Sequence, residues 1–320
     1  MKKKSVAIAF PTIPIIFLGG VKEDRRPIYS TMGLTITDLN EKMRTETSVE
    51  VKPKEYGIKL LLGGKEIVDE KGNDTKRAIE KFLKATENKV GLHIESNNYE
   101  IASGSSDSGL AALFAALNDV LGSELHKDEL AEYAMMGSES AIRSVYGGLS
   151  EIVIDPTKGF YGVGLASDKD LESVKILVVD FLYPSRVTAD QIHAGMMTHP
   201  WYKHRVERIN EWVAKIRYGI MFKKMQTIFE NAEENIRNAH YLLEDLGLRV
   251  RRKEMMNLCL DIEDIRNRGH LAYYLIGGGN RLSVATFGEH VESVKGELKQ
   301  KGWNFKECKI ASGPKIIHSE

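Results

Sequence analysis

The chain has 320 residues, 45 basic and 45 acidic side chains, and 42% hydrophobic residues. That length suffices for a large core and two domains, and the charge balance argues against nucleic acid or an anionic membrane surface as a partner. No apolar run is long enough to cross a bilayer, and Cys259 and Cys308 form neither a disulfide framework nor a metal-ligand cluster, so a cytoplasmic enzyme is the expectation.

The opening "MKKKSVAIAFPTIPIIFLGG" has the basic and apolar parts of a signal peptide. Pro11 and Pro14 interrupt the run and no small-residue cleavage site follows, so it reads as strand, turn, strand. "IIFLGG" and "GIKLLLGG" each read as a strand ending in a glycine turn. A helix is expected at "DTKRAIEKFLKAT", capped by Asp74 or Thr75. "KVGLHIESNN" is a strand, followed by a serine-rich loop from Ser103 and a helix through Leu117. "KDELAEYAMMGSESAIRSVYGG" reads as two helical segments running through Gly137. "SEIVI", "FYGVGLA" and "VKILVVDFLY" are strands. A boundary near Pro184 divides the chain into residues 1–185 and 186–320. Helices follow at 188–197, at 201–226, through His240 and over "RKEMMNLCLDIEDIRN". "HLAYYLIGGGNRLSVATF" reads as strand, glycine turn, strand; "HVESVKGELKQKG" is a helix and "FKECKI" a strand. No parallel βαβ rhythm emerges, which points to two α+β domains with a cleft between them.

Two stretches carry chemistry. In "SGSSDSGLAALFAAL" small and acidic residues precede an alanine-rich helix. A helix start leaves backbone donors unpaired and carries partial positive charge, so Ser105, Ser106 and neighbouring amides could receive a phosphate. Capping of a core helix accounts for the same residues, and Asp107 sits awkwardly beside an anion. The spacing is not that of a Walker loop. In "GSESAIRSVYGGLSEI", Arg143 lies among Ser138, Ser140 and Ser144. A guanidinium there can grip a carboxylate or phosphate at two points, or pair structurally with Glu139 or Glu151.

In chain order, "FPTIPIIFLGG", "SGSSDSGLAAL", "GSESAIRSVYGGL" and "IGGGN" resemble motifs of the GHMP kinase superfamily, specifically its diphosphomevalonate decarboxylase branch. The resemblance covers nearly the whole chain. It implies a GHMP-kinase-like α+β fold, with a ribosomal-protein-S5-like N-terminal domain and a ferredoxin-like C-terminal domain. It places Arg143 on the family's carboxylate-binding arginine and Ser105 and Ser106 in its phosphate loop, with Ser138 and Ser140 beside the substrate. It also implies a homodimer. Three features depart from the pattern: Ile276 stands where the family's catalytic aspartate begins the late turn, Phe17 stands where a lysine is usual, and the residues before Ser105 are too few to copy the usual nucleotide loop.

Isoleucine can neither accept a proton nor orient a hydroxyl. The expectation is therefore an ATP-independent decarboxylase, acting on mevalonate 3,5-bisphosphate to give isopentenyl phosphate, phosphate and carbon dioxide, with no cofactor and no metal. Its partner is a phosphorylated mevalonate derivative. Arg143, Ser105 and Ser106 are the expected catalytic residues, with Phe17 and Ile276 keeping the region dry. The alternatives are an ATP-dependent mevalonate 3-kinase and a noncatalytic phosphometabolite-binding protein. For a distal phosphate, "GGVKEDRRPIYST" offers Lys22, Arg25 and Arg26, with Lys22 and Arg26 preferred; Lys203, Arg205 and Arg186 form a lower-ranked set. His199 reads as a cleft residue or a cap, and His240 as a helix histidine of structural type.

Overall fold

The computed structural model describes residues 2–320 except 24–25, 69, 102–103, 156, 158 and 184–186, with the side chains of 70 and 71 also outside the description. Ser103, Arg25, Arg186 and the 185/186 boundary lie outside the described residues. The chain opens with β1 (Lys4–Ala9), β2 (Thr12–Ile16), β3 (Thr31–Asp38), β4 (Arg44–Lys52), β5 (Ile58–Leu62) and β6 (Lys65–Glu66). Then come α1 (Glu70–Ala85), β7 (Gly91–Tyr99), α2 (Ser105–Leu121), α3 (Lys127–Gly137) and α4 (Ala141–Tyr146). β8 (Leu149–Asp155), β9 (Gly159–Ala166) and β10 (Val174–Asp180) precede four helices, α5 (Ala189–Thr198), α6 (Tyr202–Met221), α7 (Met225–Asp245) and α8 (Lys253–Asn267). The remainder is β11 (Ala272–Ile276), β12 (Arg281–Phe287), α9 (His290–Gln300), β13 (Lys306–Ile310) and β14 (Lys315–Ser319).

Two sheets organise these elements into the expected α+β, GHMP-kinase-like fold. A six-stranded sheet runs β14-β1-β4-β7-β5-β6, antiparallel except for β5 beside β7. Its core is built on α2, which packs against β1 and β4 and against α3 and α4. Alanine and leucine favour the helix, and the helix is apolar enough to be buried on most of its surface. Phe114 meets Phe82 of α1 and Tyr133 of α3 at ring-centre distances of 5.7 and 5.8 Å. Gly122 closes the helix in the left-handed region at φ 62°, where a side chain would be strained.

The second sheet has eight strands. Within it β13-β10-β12-β11 is the antiparallel order of a ferredoxin-like βαββαβ unit, with α5–α8 in the first crossover and α9 in the second. β13 also pairs with β3, and β14 with β1, so late strands complete sheets begun early. All eight residues of β3 are buried, because it has neighbours along both edges and cover on both faces. Among the described residues no helix is long and apolar enough to cross a membrane.

The helix expected to begin at Asp74 or Thr75 begins at Glu70, and Asp74 bonds Arg77 within it instead of capping it. The helix expected over 201–226 is two, since Lys223 takes φ 52° between α6 and α7. Nothing in the sequence reading announced β3, β4 or β14. In β4 the inward-facing set is Thr45, Thr47 and Val49, so hydroxyl-bearing residues mask the alternation that marks a strand.

Candidate functional site

Strand β2 is the axis of the site. At its start, Thr12 Oγ1 donates to Asp107 Oδ2 at 2.5 Å. Asp107 Oδ1 accepts from Ser138 Oγ at 2.9 Å and from Ser140 Oγ at 2.7 Å. Asp107 is buried, and these three hydroxyls from two segments supply the hydrogen bonds a buried carboxylate requires. Its role is to tie β2, the start of α2 and the 138–140 turn together.

The first turn of α2 is built differently from a capped helix start. Its N-cap is Gly104, left-handed at φ 79°, with no side-chain cap. A Cβ on Gly104 would lie 3.1 Å from the backbone N and O of Thr12. Ser105 is half-buried and Ser106 exposed, while Ser108 is buried and bonds Thr45 Oγ1 at 2.6 Å. The turn thus presents uncapped amides and an accessible hydroxyl, a donor set that suits a phosphate.

At the other end of β2, Arg143 Nη2 donates to the Ile16 carbonyl at 3.5 Å, and Arg143 Nε has no partner. The guanidinium is 4% exposed, and its pKa is pushed down to about 10 by burial, against the opposing influence of Asp107 and Tyr29. Its stem fills the space beside Gly33, where a Cβ would come within 2.5 Å of Arg143 Cδ. Glu151 is not its mate: that carboxylate takes a two-point bond from Arg217 at 2.8 and 2.9 Å. A buried guanidinium with an idle Nε is equipped to hold a planar carboxylate.

The next residue, Phe17, donates its N–H to Asn235 Oδ1 at 2.9 Å. Its ring meets the edge of His240 at 5.3 Å. His240 is fully buried, and its Nε2 lies 3.3 Å from the carbonyl oxygen of Ile276. That contact makes Nε2 the protonated nitrogen and leaves Nδ1 an acceptor without a partner. Burial, then the positive charge of Arg251, push the His240 pKa down to about 3, so the ring is neutral. Phe17 and Ile276 are both buried in the larger core, and the late glycine turn comes up against β2, with a Cβ on Gly277 placed 3.7 Å from Pro14 Cδ.

The structure brings Ser106, Ser138 and Ser140 close around Asp107, whose charge reaches Arg143 without a direct bond, although Ser138 and Ser140 give their hydroxyl hydrogens to that carboxylate. Lys22 and Arg26 stand apart on an exposed turn closed by Lys22 N–H to Arg26 O at 2.8 Å, with Arg26 over the Phe160 ring. His199 is a structural cap: its Nδ1 accepts from Trp201 N–H and its Nε2 meets Asp245. Sequence reasoning missed Thr12 and Asn235. Thr12 lies inside the quoted "FPTIPIIFLGG", which gives it no role, Asn235 lies in an unremarkable stretch, and only the contact with Asp107 or Phe17 gives either a role. Among the described residues no group of three or more His, Cys, Asp or Glu could hold a metal ion.

Comparison with known proteins matches residues 9–158 to the diphosphomevalonate decarboxylase-like N-terminal domain and residues 187–292 to the mevalonate-3-kinase C-terminal domain. A mevalonate-3-kinase from Picrophilus torridus is 28% identical, covering 97% of this chain and 96% of its own. A mevalonate 3-kinase from Thermoplasma acidophilum is 26% identical, covering 95% of each. The mevalonate-bound crystal structure of the Thermoplasma acidophilum mevalonate-3-kinase superposes with a TM-score of 0.88 at 25% identity over 100% of both chains. These likenesses overturn the expectation of an ATP-independent decarboxylase and of a lyase: the two relatives just named, matched along nearly their whole length, are kinases. Ile276 does not discriminate as expected. Phosphoryl transfer passes through a loose transition state in which positioning and electrostatics dominate, so an isoleucine at this place is not by itself an argument against it.

Proposed function

The chain belongs to the GHMP kinase superfamily, in the branch that holds diphosphomevalonate decarboxylases and mevalonate-3-kinases, and from that premise we propose that it is an ATP-dependent kinase for the tertiary 3-hydroxyl of a mevalonate-type acid. The likeness to a mevalonate-3-kinase along 97% of the chain carries this reading. The site supplies chemistry consistent with it. Arg143 fixes the substrate carboxylate through the Nε that lacks a partner, which orients the hydroxyl carbon beside Ile16 and Phe17. His240 Nδ1, kept unprotonated, accepts the hydrogen bond of that hydroxyl and aims its lone pair. Such an acceptor serves where Ile276 offers none.

The uncapped start of α2 fits the phosphates of ATP, which supplies the transferred phosphoryl group. Ser105, Ser106 and their amides would hold it, the helix start lending partial positive charge where negative charge gathers. The apolar Phe17 and Ile276 exclude water that would compete as an acceptor. The test combines ATP with mevalonate or mevalonate 5-phosphate, and follows ADP release together with phosphorus NMR of the product. A tertiary phosphate ester formed in step with ADP is the expected result. If neither acid raises ADP release above that of acceptor-free controls, the kinase reading is overturned.

A further inference from the structure

The guanidinium of Arg143 makes few bonds of its own. Among the described residues it has no carboxylate partner, and it makes one long hydrogen bond, from Nη2 to Ile16 O at 3.5 Å. A contact of that length does little to fix direction. A long arginine side chain also loses much rotamer freedom when it is held in one place. The helix that carries it, α4, is six residues long and too short to be stable by itself. The aim of this side chain must therefore be set by something other than its own partners.

Strand β3 supplies it. Gly33 and Thr35 are alternate residues of the strand and so share one face, and that face meets Arg143. The Thr35 hydroxyl donates to Arg143 O at 3.0 Å. Ser150 of β8, paired with Gly33 across the sheet, sends its hydroxyl toward the same carbonyl at 3.4 Å. Gly147 N–H closes the helical bond to it at 3.0 Å. Thr35 and Ser150 are fully buried. Gly33 acts on the side chain instead. A Cβ there would lie 2.5 Å from Arg143 Cδ, 3.0 Å from Arg143 Nε and 3.0 Å from Ile13 O, all inside van der Waals contact. Gly33 has no positive φ, so space for the stem and not backbone conformation calls for glycine here. Because the stem is enclosed, a side chain at position 33 would redirect the guanidinium.

We propose that Gly33 and Thr35 are positioning residues for the carboxylate site: Thr35 clamps the backbone of Arg143 and Gly33 clears a path for its stem, so the guanidinium stands ready before the acid arrives. The proposal rests on the reading above, in which Arg143 holds the substrate carboxylate. An arginine ordered in advance need not be ordered at the moment of binding, which strengthens binding. It also keeps the planar group at the angle that a two-point bond to a carboxylate requires. The competing account is that Thr35 and Ser150 only satisfy their own buried hydroxyls. That account predicts a loss of stability on substitution with no change in the preference for a charged ligand.

The test is isothermal titration calorimetry without nucleotide, comparing mevalonate with its amide, which keeps the shape and lacks the carboxylate charge. The wild type is expected to bind the acid at least about tenfold tighter than the amide. Gly33→Ala is expected to bring the ratio of the two dissociation constants to within about twofold of one. Thr35→Val keeps the shape, removes only the hydroxyl, and is expected to lower the ratio by about threefold or more. Thr35→Ser restores a donor and is expected to recover most of that loss. Thermal melting followed by circular dichroism shows which variants fold, and Thr35→Val decides the question if Gly33→Ala does not. A wild-type ratio in folded Gly33→Ala or Thr35→Val protein would overturn the positioning roles and leave the carboxylate reading intact. A ratio near one in the wild type, or no measurable binding of the acid, would overturn the carboxylate reading and the positioning roles with it. Phosphoryl transfer is not measured in these titrations, so the kinase assay stands or falls separately.

Discussion

The two ends of β2 are four residues apart and are built on opposite principles. At Thr12 every polar partner is supplied by the protein: one buried carboxylate, Asp107, and three hydroxyls satisfy one another. At Ile16 and Phe17 the protein buries Arg143, Asn235 and His240 and leaves an atom of each without a partner. The first end spends its polar groups on holding three segments in register. The second end carries a standing electrostatic cost that a ligand can relieve. Substitution at the first should therefore be read out in stability, and at the second in turnover.

The largest expected effect is at the second end. Arg143→Ala should lower kcat/KM for the kinase reaction by about 100-fold or more, since a charge-assisted bond and the orientation it enforces are lost together. The melting temperature should hold or rise, because a buried cation without a counter-ion is removed. Steady-state kinetics and calorimetry on one preparation decide this. A folded Arg143→Ala protein with wild-type turnover would erase the contrast.

Asp107→Ala tests the first end. Three hydroxyls lose a shared acceptor, so unfolding by urea should show a loss of about 2–4 kcal/mol. A loss under about 0.5 kcal/mol, the range of a neutral surface change, would mean the hydroxyls find other partners.

The third test uses pH. His240 is neutral in the fold, with a pKa near 3 against an ordinary 6.5. Below pH 6.5 the unfolded chain takes up a proton that the folded one refuses. This contribution to stability is thus present above about 6.5 and is lost as pH falls toward 3, at up to about 1.4 kcal/mol per pH unit. Urea unfolding from pH 7 to pH 4.5 should show that slope, and His240→Asn should flatten it. A slope identical in wild type and variant would show that His240 titrates alike in both states.

Ser106→Ala gives the smallest effect and separates the phosphate role of α2 from capping. With Gly104 as an N-cap without a side chain, stability should stay within about 0.5 kcal/mol. The KM for ATP should rise by roughly threefold to tenfold, the worth of one neutral hydrogen bond. A stability loss of about 1 kcal/mol with unchanged KM would favour the cap.

Much of this architecture was legible in the residues. Alanine and leucine after a serine-rich loop gave α2, and arginine among small residues singled out Arg143, which the fold buries. Two kinds of fact were not legible. The inward side of β4 is carried by threonines, whose hydroxyls find Asn98, Ser108 and Ser96 across elements far apart in sequence. His240 gains its character from Phe17 and Ile276, which lie 223 and 36 residues away along the chain, and its ring alone shows none of this. Ile276 misled for a related reason. Read alone it is a missing acid, whereas its backbone carbonyl sets which nitrogen of His240 is protonated.

The pairing of β14 with β1 joins residues 315–319 to residues 4–9. During synthesis β1 leaves the ribosome with one edge that stays open until residues 315–319 have emerged. Contacts of that sequence separation form late and slowly, and an open edge invites pairing with another chain meanwhile. The six-stranded sheet that carries α2 thus waits for a strand that follows its first one by some three hundred residues of chain. Fusions or truncations reaching into residues 315–319 are expected to depress soluble yield before they touch the chemistry around β2.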